Sequence, residues 1–305
     1  MEVAYARFPT SHHRPSIPPM NRPVHPPLAV TLFLAVTTLA GFIGNRRALG
    51  DEPPADSATP TTVQIAGQSV TLAEPTLGDE SDADAQRRLI TPLLRGLSFN
   101  QFARDSVVAP VRIYLRYITN EAGDRLGHDV HVVFIIHESL QTFSDQDIAQ
   151  RLGGEVADET AETPAEVDDV SAETLQGLGI NDAGPQIRYR KLDFELLDKV
   201  RLTGLLRIAQ RSSATQNRID VSLVDRFDNR WQATDGREAG GEYSGFQGWL
   251  TATALAGMDA VFVEARFVMH EPEQWFAGSN YVRSKLPLVL QQAARDLRRR
   301  LKRDQ

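Results

Sequence analysis

WLTATALAGMDAVFVEARFVMHE, residues 249–271, followed by SNYVRSKLPLVLQQAARDLRRRLKRDQ, residues 279–305, decides how this chain folds. From Ala260 to Met269 one alternating set reads Val261, Val263, Ala265, Phe267 and Met269, while Glu264, Arg266 and His270 fall in the other set. A period of two with one apolar face is the pattern of a strand that buries one side. The last segment then repeats Leu286, Leu290, Ala293, Leu297 and Leu301 at steps of three and four, which is a single apolar stripe on a helix. Pro287 is awkward in a helix interior, so the spacing predicts a helix beginning near Ser284, with Ser279 or Ser284 as cap. Its last two turns hold Arg295, Arg298, Arg299, Arg300, Lys302 and Arg303, where cations suit the negative end of the helix dipole and read as a solvated face.

Upstream, VRIYLRYI at 111–118 and HDVHVVFIIHE at 128–138 read as two strands of a hairpin joined by NEAGDRLG. FSDQDIAQRLGG offers a short helix capped by Ser144 and stopped at Gly153. Three further alternating runs, Leu192 to Leu196, Val200 to Ile208 and Ile219 to Leu223, are separated by turn residues and read as an antiparallel meander; Trp231 starts a shorter strand. The polar, glycine-rich stretch from Asp235 to Gly248 reads as a loop. Before the hairpin, Leu89, Leu93, Leu94, Leu97 and Phe102 have helical spacing broken at Pro92. The expected fold is α+β: a twisted antiparallel sheet covered by the C-terminal helix, in one domain over 84–305. In outline this resembles the helix-grip fold of the START-like, polyketide-cyclase-like superfamily. That resemblance implies a curved sheet around a C-terminal helix with an apolar cavity between them, and no particular residue carries it.

The chain has 305 residues, a net charge of −7 and no cysteine. Lack of thiols removes cysteine nucleophiles, thiolate metal sites and disulfides together. The first fifty residues hold Arg7, Arg14, Arg22, Arg46 and Arg47 against Glu2, so the remainder carries net −11, a poor nonspecific partner for nucleic acid. Residues 28–44, LAVTLFLAVTTLAGFIG, lack any charge and are followed by Asn45, Arg46, Arg47, Ala48, Leu49 and Gly50. This is the pattern of an export signal cleaved after Gly50, or of an uncleaved signal anchor, with Met1 or Met20 as the start. Either reading predicts an exported protein. Residues 51–83, rich in Pro, Asp and Thr, read as a disordered linker that contains at most a small hairpin. The stretch 155–186, with nine acids and no base, reads as a disordered insertion.

Candidate chemistry is sparse. His128, His131 and His137 raise a metal site, although residues six apart on a strand stand about 20 Å from each other. His137-Glu138 and His270-Glu271 end two strands with the same dipeptide; were those ends neighbours, an acid–base pair would form for a hydrolase-type enzyme. Asp225, Asp228 and Asn229 lack the pattern of a calcium loop, and GREAGGEYSGFQG neither follows a strand nor opens a helix as a phosphate loop must. Tyr243, Phe246 and Trp249 could close the mouth of a pocket. The reading that follows is a noncatalytic exported protein that binds an apolar ligand or an envelope partner, without cofactor and without nucleic acid. The alternatives are the His/Glu enzyme and a structural protein without ligand.

Overall fold

A computed structural model describes residues 61–78, 82–143, 170–182, 186–276 and 279–303. The apolar run 28–44, the cut after Gly50, the helix from Ser144 to Gly153 and most of the acidic insertion lie outside them. Among the described residues no helix is long and apolar enough to cross a membrane.

The body begins earlier than hydropathy suggests. Strands β1 (Thr61–Ile65) and β2 (Gln68–Leu72) pair about a turn at Ala66 and Gly67, both at positive φ. Val63, Ile65 and Leu72 are buried against Ile118, Trp249 and Val268, so part of the expected linker 51–83 is core. The helix α1 (Ala83–Ile90) is capped by Asp82, whose carboxylate accepts from the Ala85 N–H at 2.7 Å. Pro92 then tightens the chain into a 3-10 turn over Thr91–Leu94, and the one-turn α2 (Phe99–Phe102) closes with a Ser98–Gln101 capping box.

Strands β3 (Arg112–Thr119) and β4 (Arg125–Ile136) form the expected hairpin. Short α3 (Ala172–Gly177), capped by Ser171, occupies part of the stretch expected to be disordered. It buries Leu175 with Tyr189 and Leu205, enough apolar contact to hold that part of the acidic segment in place. Strands β5 (Ile187–Leu196), β6 (Val200–Ser212) and β7 (Gln216–Leu223) make the meander, followed by β8 (Arg230–Ala233) and β9 (Gly240–Glu242). Thus the glycine-rich stretch read as a loop supplies a short edge strand. Strands β10 (Phe246–Ala254) and β11 (Val261–His270) lead to the terminal helix α4 (Tyr281–Arg303).

All nine strands from β3 onward join one antiparallel sheet in the order β3-β4-β11-β10-β7-β6-β8-β9, with β5 on the free side of β6. The architecture is α+β as expected, but the order is not a simple meander. β6 is long enough to pair with β7 through Leu206–Ser212 and with β8 through Val200–Thr203 along one edge. Between them sits Gly204, where a Cβ would lie 2.4 Å from Asn229 Oδ1. Asn229 uses that oxygen to accept from the Leu205 N–H and its amide to donate to Val224 O, both at 2.9 Å, which ties the turn before β8 into the break.

Both faces of the sheet are covered, which corrects the one-faced reading of β11. On one face the α4 residues Val282, Leu286, Leu290, Ala293, Leu297 and Leu301 pack on Val130, Val132, Phe134, Val261 and Val263. α4 starts at Tyr281, one continuous helix with Pro287 inside it rather than a turn followed by a helix from Ser284. On the other face Ile90, Leu94 and Phe102 pack on Val133, Ile135 and Phe262. Glu264 falls on this second face and is 1% exposed.

Candidate functional site

The face that carries α4 is not filled by the helix alone. Toward β5 and β6 it forms a hollow lined by Leu192, Phe194, Leu196, Leu202, Leu206, Tyr243, Phe246 and Met269. Residues 271–276, which follow β11, pack beside it against Tyr243. Pro272 accepts from the Trp275 N–H at 3.0 Å, and the turn drives Trp275 inward until it is 0% exposed. The indole stacks on Tyr243, centroids 5.2 Å apart, and meets Trp231 edge-on at 6.2 Å. Phe276 and Tyr281 continue the aromatic run at 6.0 and 5.4 Å. From outside, Arg237 donates to the carbonyls of Gln274 and Trp275 at 2.6 and 2.5 Å, and Asp235 at 2.7 Å holds the guanidinium in place. That hydrogen bond from Arg237 lowers the Asp235 carboxyl below its ordinary range.

The free space left in the hollow is about 10 Å³, room for about one water and far from the roughly 300–1,000 Å³ of a preformed ligand pocket. Among the described residues the open cavity expected beneath the helix is therefore replaced by a nearly closed hollow. Polar groups next to it are nevertheless poorly served. Trp275 Nε1 and His270 Nδ1 are buried with no partner among the described residues. The Tyr243 hydroxyl has only a 3.4 Å contact to His270 O, and burial pushes its phenol far above the usual range. Burial likewise lowers the pKa of His270, against the opposing pull of the Ser244 backbone and Glu271. Buried donors without acceptors are rare in native folds, because each gives up its hydration for nothing.

The histidines meet carboxylates, but not the ones the dipeptides suggested. Antiparallel pairing sets Ile136 opposite Val261 and Gly127 opposite His270, so His137 and His270 stand at opposite ends of the ladder, roughly 30 Å apart by strand rise. His137 Nε2 instead lies 2.8 Å from Ala103 O. Glu271 is shared between buried His128 and Arg125, the latter at 3.0 Å, under the start of α4. His131 Nε2 lies 2.7 Å from Glu264 Oε1 on the other face, where Thr76 donates to the same carboxylate from its N–H (2.7 Å) and its hydroxyl (2.6 Å).

That last pair fixes a strap, Ala73–Leu77, which crosses the sheet and which sequence reading missed. Trp249 Nε1 donates to Ala73 O at 2.9 Å, Arg218 pairs with Glu74 at 2.7 Å, and Gln216 donates to Leu77 O at 2.9 Å. Trp249 thus belongs to the strap, whereas Tyr243 and Phe246 line the hollow. Among the described residues no group of three His, Cys, Asp or Glu converges as a metal site. Asp228 is engaged with Arg230 at 2.6 Å. The terminal arginines are not all solvated: Arg298 is 3% exposed and donates to Ile135 O and Ala109 O at 2.9 and 2.7 Å.

Trp275 left a faint signal, the apolar pair Trp275–Phe276 that ends the otherwise polar EPEQWF. Thr76 left none, since one threonine in an acidic stretch marks no partner.

No family model matches the chain, and no curated protein matches it. Among solved structures the chain is similar to CalU16 from Micromonospora echinospora, at 7% identity over 62% of this chain and 94% of that one, with a TM-score of 0.22. A likeness at that level says nothing about what this chain does.

Proposed function

We propose that this is a noncatalytic exported binding protein whose ligand is an apolar molecule carrying one hydrogen-bond acceptor, taken up against the sheet as Trp275, beside the hollow, shifts off Tyr243. The observation that supports it is an apolar hollow with aromatic residues in its wall, next to a buried indole N–H that has no acceptor among the described residues. An apolar wall with a few converging donors is how small-molecule sites combine affinity with orientation. Export rests on the uncharged run 28–44 and on Ala48 and Gly50 behind it.

The test is mass spectrometry of the purified full chain, native and then denatured, with titration by the apolar fluorophore N-phenyl-1-naphthylamine. The expected results are a small molecule released on denaturation and saturable probe binding. Trp275→Ala opens the hollow and tightens the probe at least tenfold, while Leu206→Trp fills it and abolishes binding. Absence of both a released mass and saturable binding, in the wild type and in Trp275→Ala, rejects the reading.

A further inference from the structure

The outer side of α4 points to a second surface. Opposite the buried stripe, Lys285, Leu288, Gln292, Arg295, Arg299 and Lys302 fall within one band of the helix, spaced at three and four residues over about 26 Å of axis. Lys285, Leu288, Arg299 and Lys302 are exposed, and Arg295 is partly so. The acids within reach are few: Asp296 pairs with Arg299, and Asp105 pairs with Lys302 at 2.5 Å. Lys285 and Arg295 form no ion pair among the described residues, although the chain as a whole is acidic.

The band is also apolar where it need not be. Three large apolar side chains are exposed among the described residues: Leu89, Val108 at 62% and Leu288 at 60%. Leu288 sits in the basic band itself. Val108 belongs to the loop that Arg298 and Lys302 hold against the C-terminal half of α4, through Ala109 O and Asp105. Cations flanking exposed aliphatic side chains along a helix that lies flat on its domain are what an anionic bilayer surface recognises, since the charges stay at the headgroups while the leucine enters the acyl boundary. A soluble polyanion would use the cations and leave Leu288 in water.

We infer that this outer face of α4 is a docking surface for anionic lipid bilayers. It is separate from the nearly closed hollow, which lies beyond the helix on the sheet side, and it stands whether or not that hollow takes a ligand.

The absence of cysteine makes the test clean. Leu288→Cys and, as a control on the opposite face of the sheet, Leu89→Cys are introduced singly into the full chain and labelled with an environment-sensitive fluorophore. The chain's own apolar run 28–44 can hold it to any vesicle, so the site of the label decides rather than total binding. With phosphatidylglycerol vesicles the label at 288 shifts to the blue, the shift is reversed by high salt, and the label at 89 does not respond. Lys285→Gln with Arg295→Gln weakens the response roughly twenty-five-fold, from about fivefold per removed cation, with the urea midpoint unchanged. No shift at 288 on anionic vesicles, an equal shift on phosphatidylcholine vesicles, or the same shift with heparin alone each overturns the inference.

Discussion

Replacing Glu264 by glutamine removes one charge and almost no volume, so it isolates what a buried carboxylate does for the strap. Its two oxygens face the Thr76 N–H, the Thr76 hydroxyl and His131 Nε2 at 2.6–2.7 Å, with the side chain 2% exposed. A carboxamide offers one acceptor oxygen; set on the Thr76 N–H, it turns its NH₂ toward the Thr76 hydroxyl and His131 Nε2, which accept only if the hydroxyl rotates and the imidazole presents a bare nitrogen. The loss is therefore the charge assistance of the hydrogen bonds to the carboxylate, about 2 kcal/mol. Thr76→Val removes only the hydroxyl bond and costs about 2 kcal/mol. Both changes are small beside a typical total of roughly 5–15 kcal/mol, so the variants fold and can be measured. Urea unfolding followed by tryptophan fluorescence reads the global loss, and Trp249 reports on the strap directly because its indole holds Ala73. Hydrogen exchange over residues 73–77 reads local release. If both variants unfold within about 0.5 kcal/mol of the wild type and the Thr76 amide exchanges no faster, the carboxylate does not hold the strap.

Arg298→Met keeps most of the side-chain length but leaves the carbonyls of Ile135 and Ala109 without their donor; burial holds this guanidinium down to about 10, so it is charged at neutral pH, and its removal lowers stability by about 2–4 kcal/mol in urea unfolding. Gly204→Ala drives a Cβ against Asn229 Oδ1, strands the Leu205 N–H and costs about 2 kcal/mol, whereas Gly257→Ala, with nothing near its Cβ, shows only the smaller strain of its positive φ. The depressed pKa of His270 gives a pH signature. Below the ordinary value of 6.5 the unfolded chain takes the proton first, so this residue makes stability fall as pH drops through the window beneath 6.5 and level off below its folded pKa. His270→Phe flattens that part of the profile, measured as urea midpoints between pH 7.5 and 5.

The main elements were legible because their signals are local. The alternation from Val261 to Met269, the stripe from Leu286 to Leu301 and the break at Pro92 each reside in a window of at most sixteen residues. What was not legible depends on pairing at a distance. Glu264 and Arg266 among apolar neighbours read as a solvated face, yet that face is covered, because Thr76, His131 and Asp129 arrive from elsewhere to satisfy them. Likewise Arg298 sits in a run of arginines that composition cannot subdivide; only the carbonyls it meets mark it as internal. The candidate site suffered most. His137 and His270 carry the same dipeptide but antiparallel register sets them at opposite ends, and the hollow became visible only once Tyr243, Met269 and Trp275 were brought together.

The strap has a consequence for the order in which the molecule comes together. Its bonds to Gln216, Arg218, Trp249 and Glu264 span 139, 144, 176 and 188 residues of chain, so each closes a very long loop, and the set cannot be completed until β10 and β11 exist. The first piece of the body to be synthesised is thus the last to be seated. A ribosome-bound or C-terminally shortened chain would leave Leu77 in water and Glu264 missing, and the outer layer would snap into place only after β11 has been delivered.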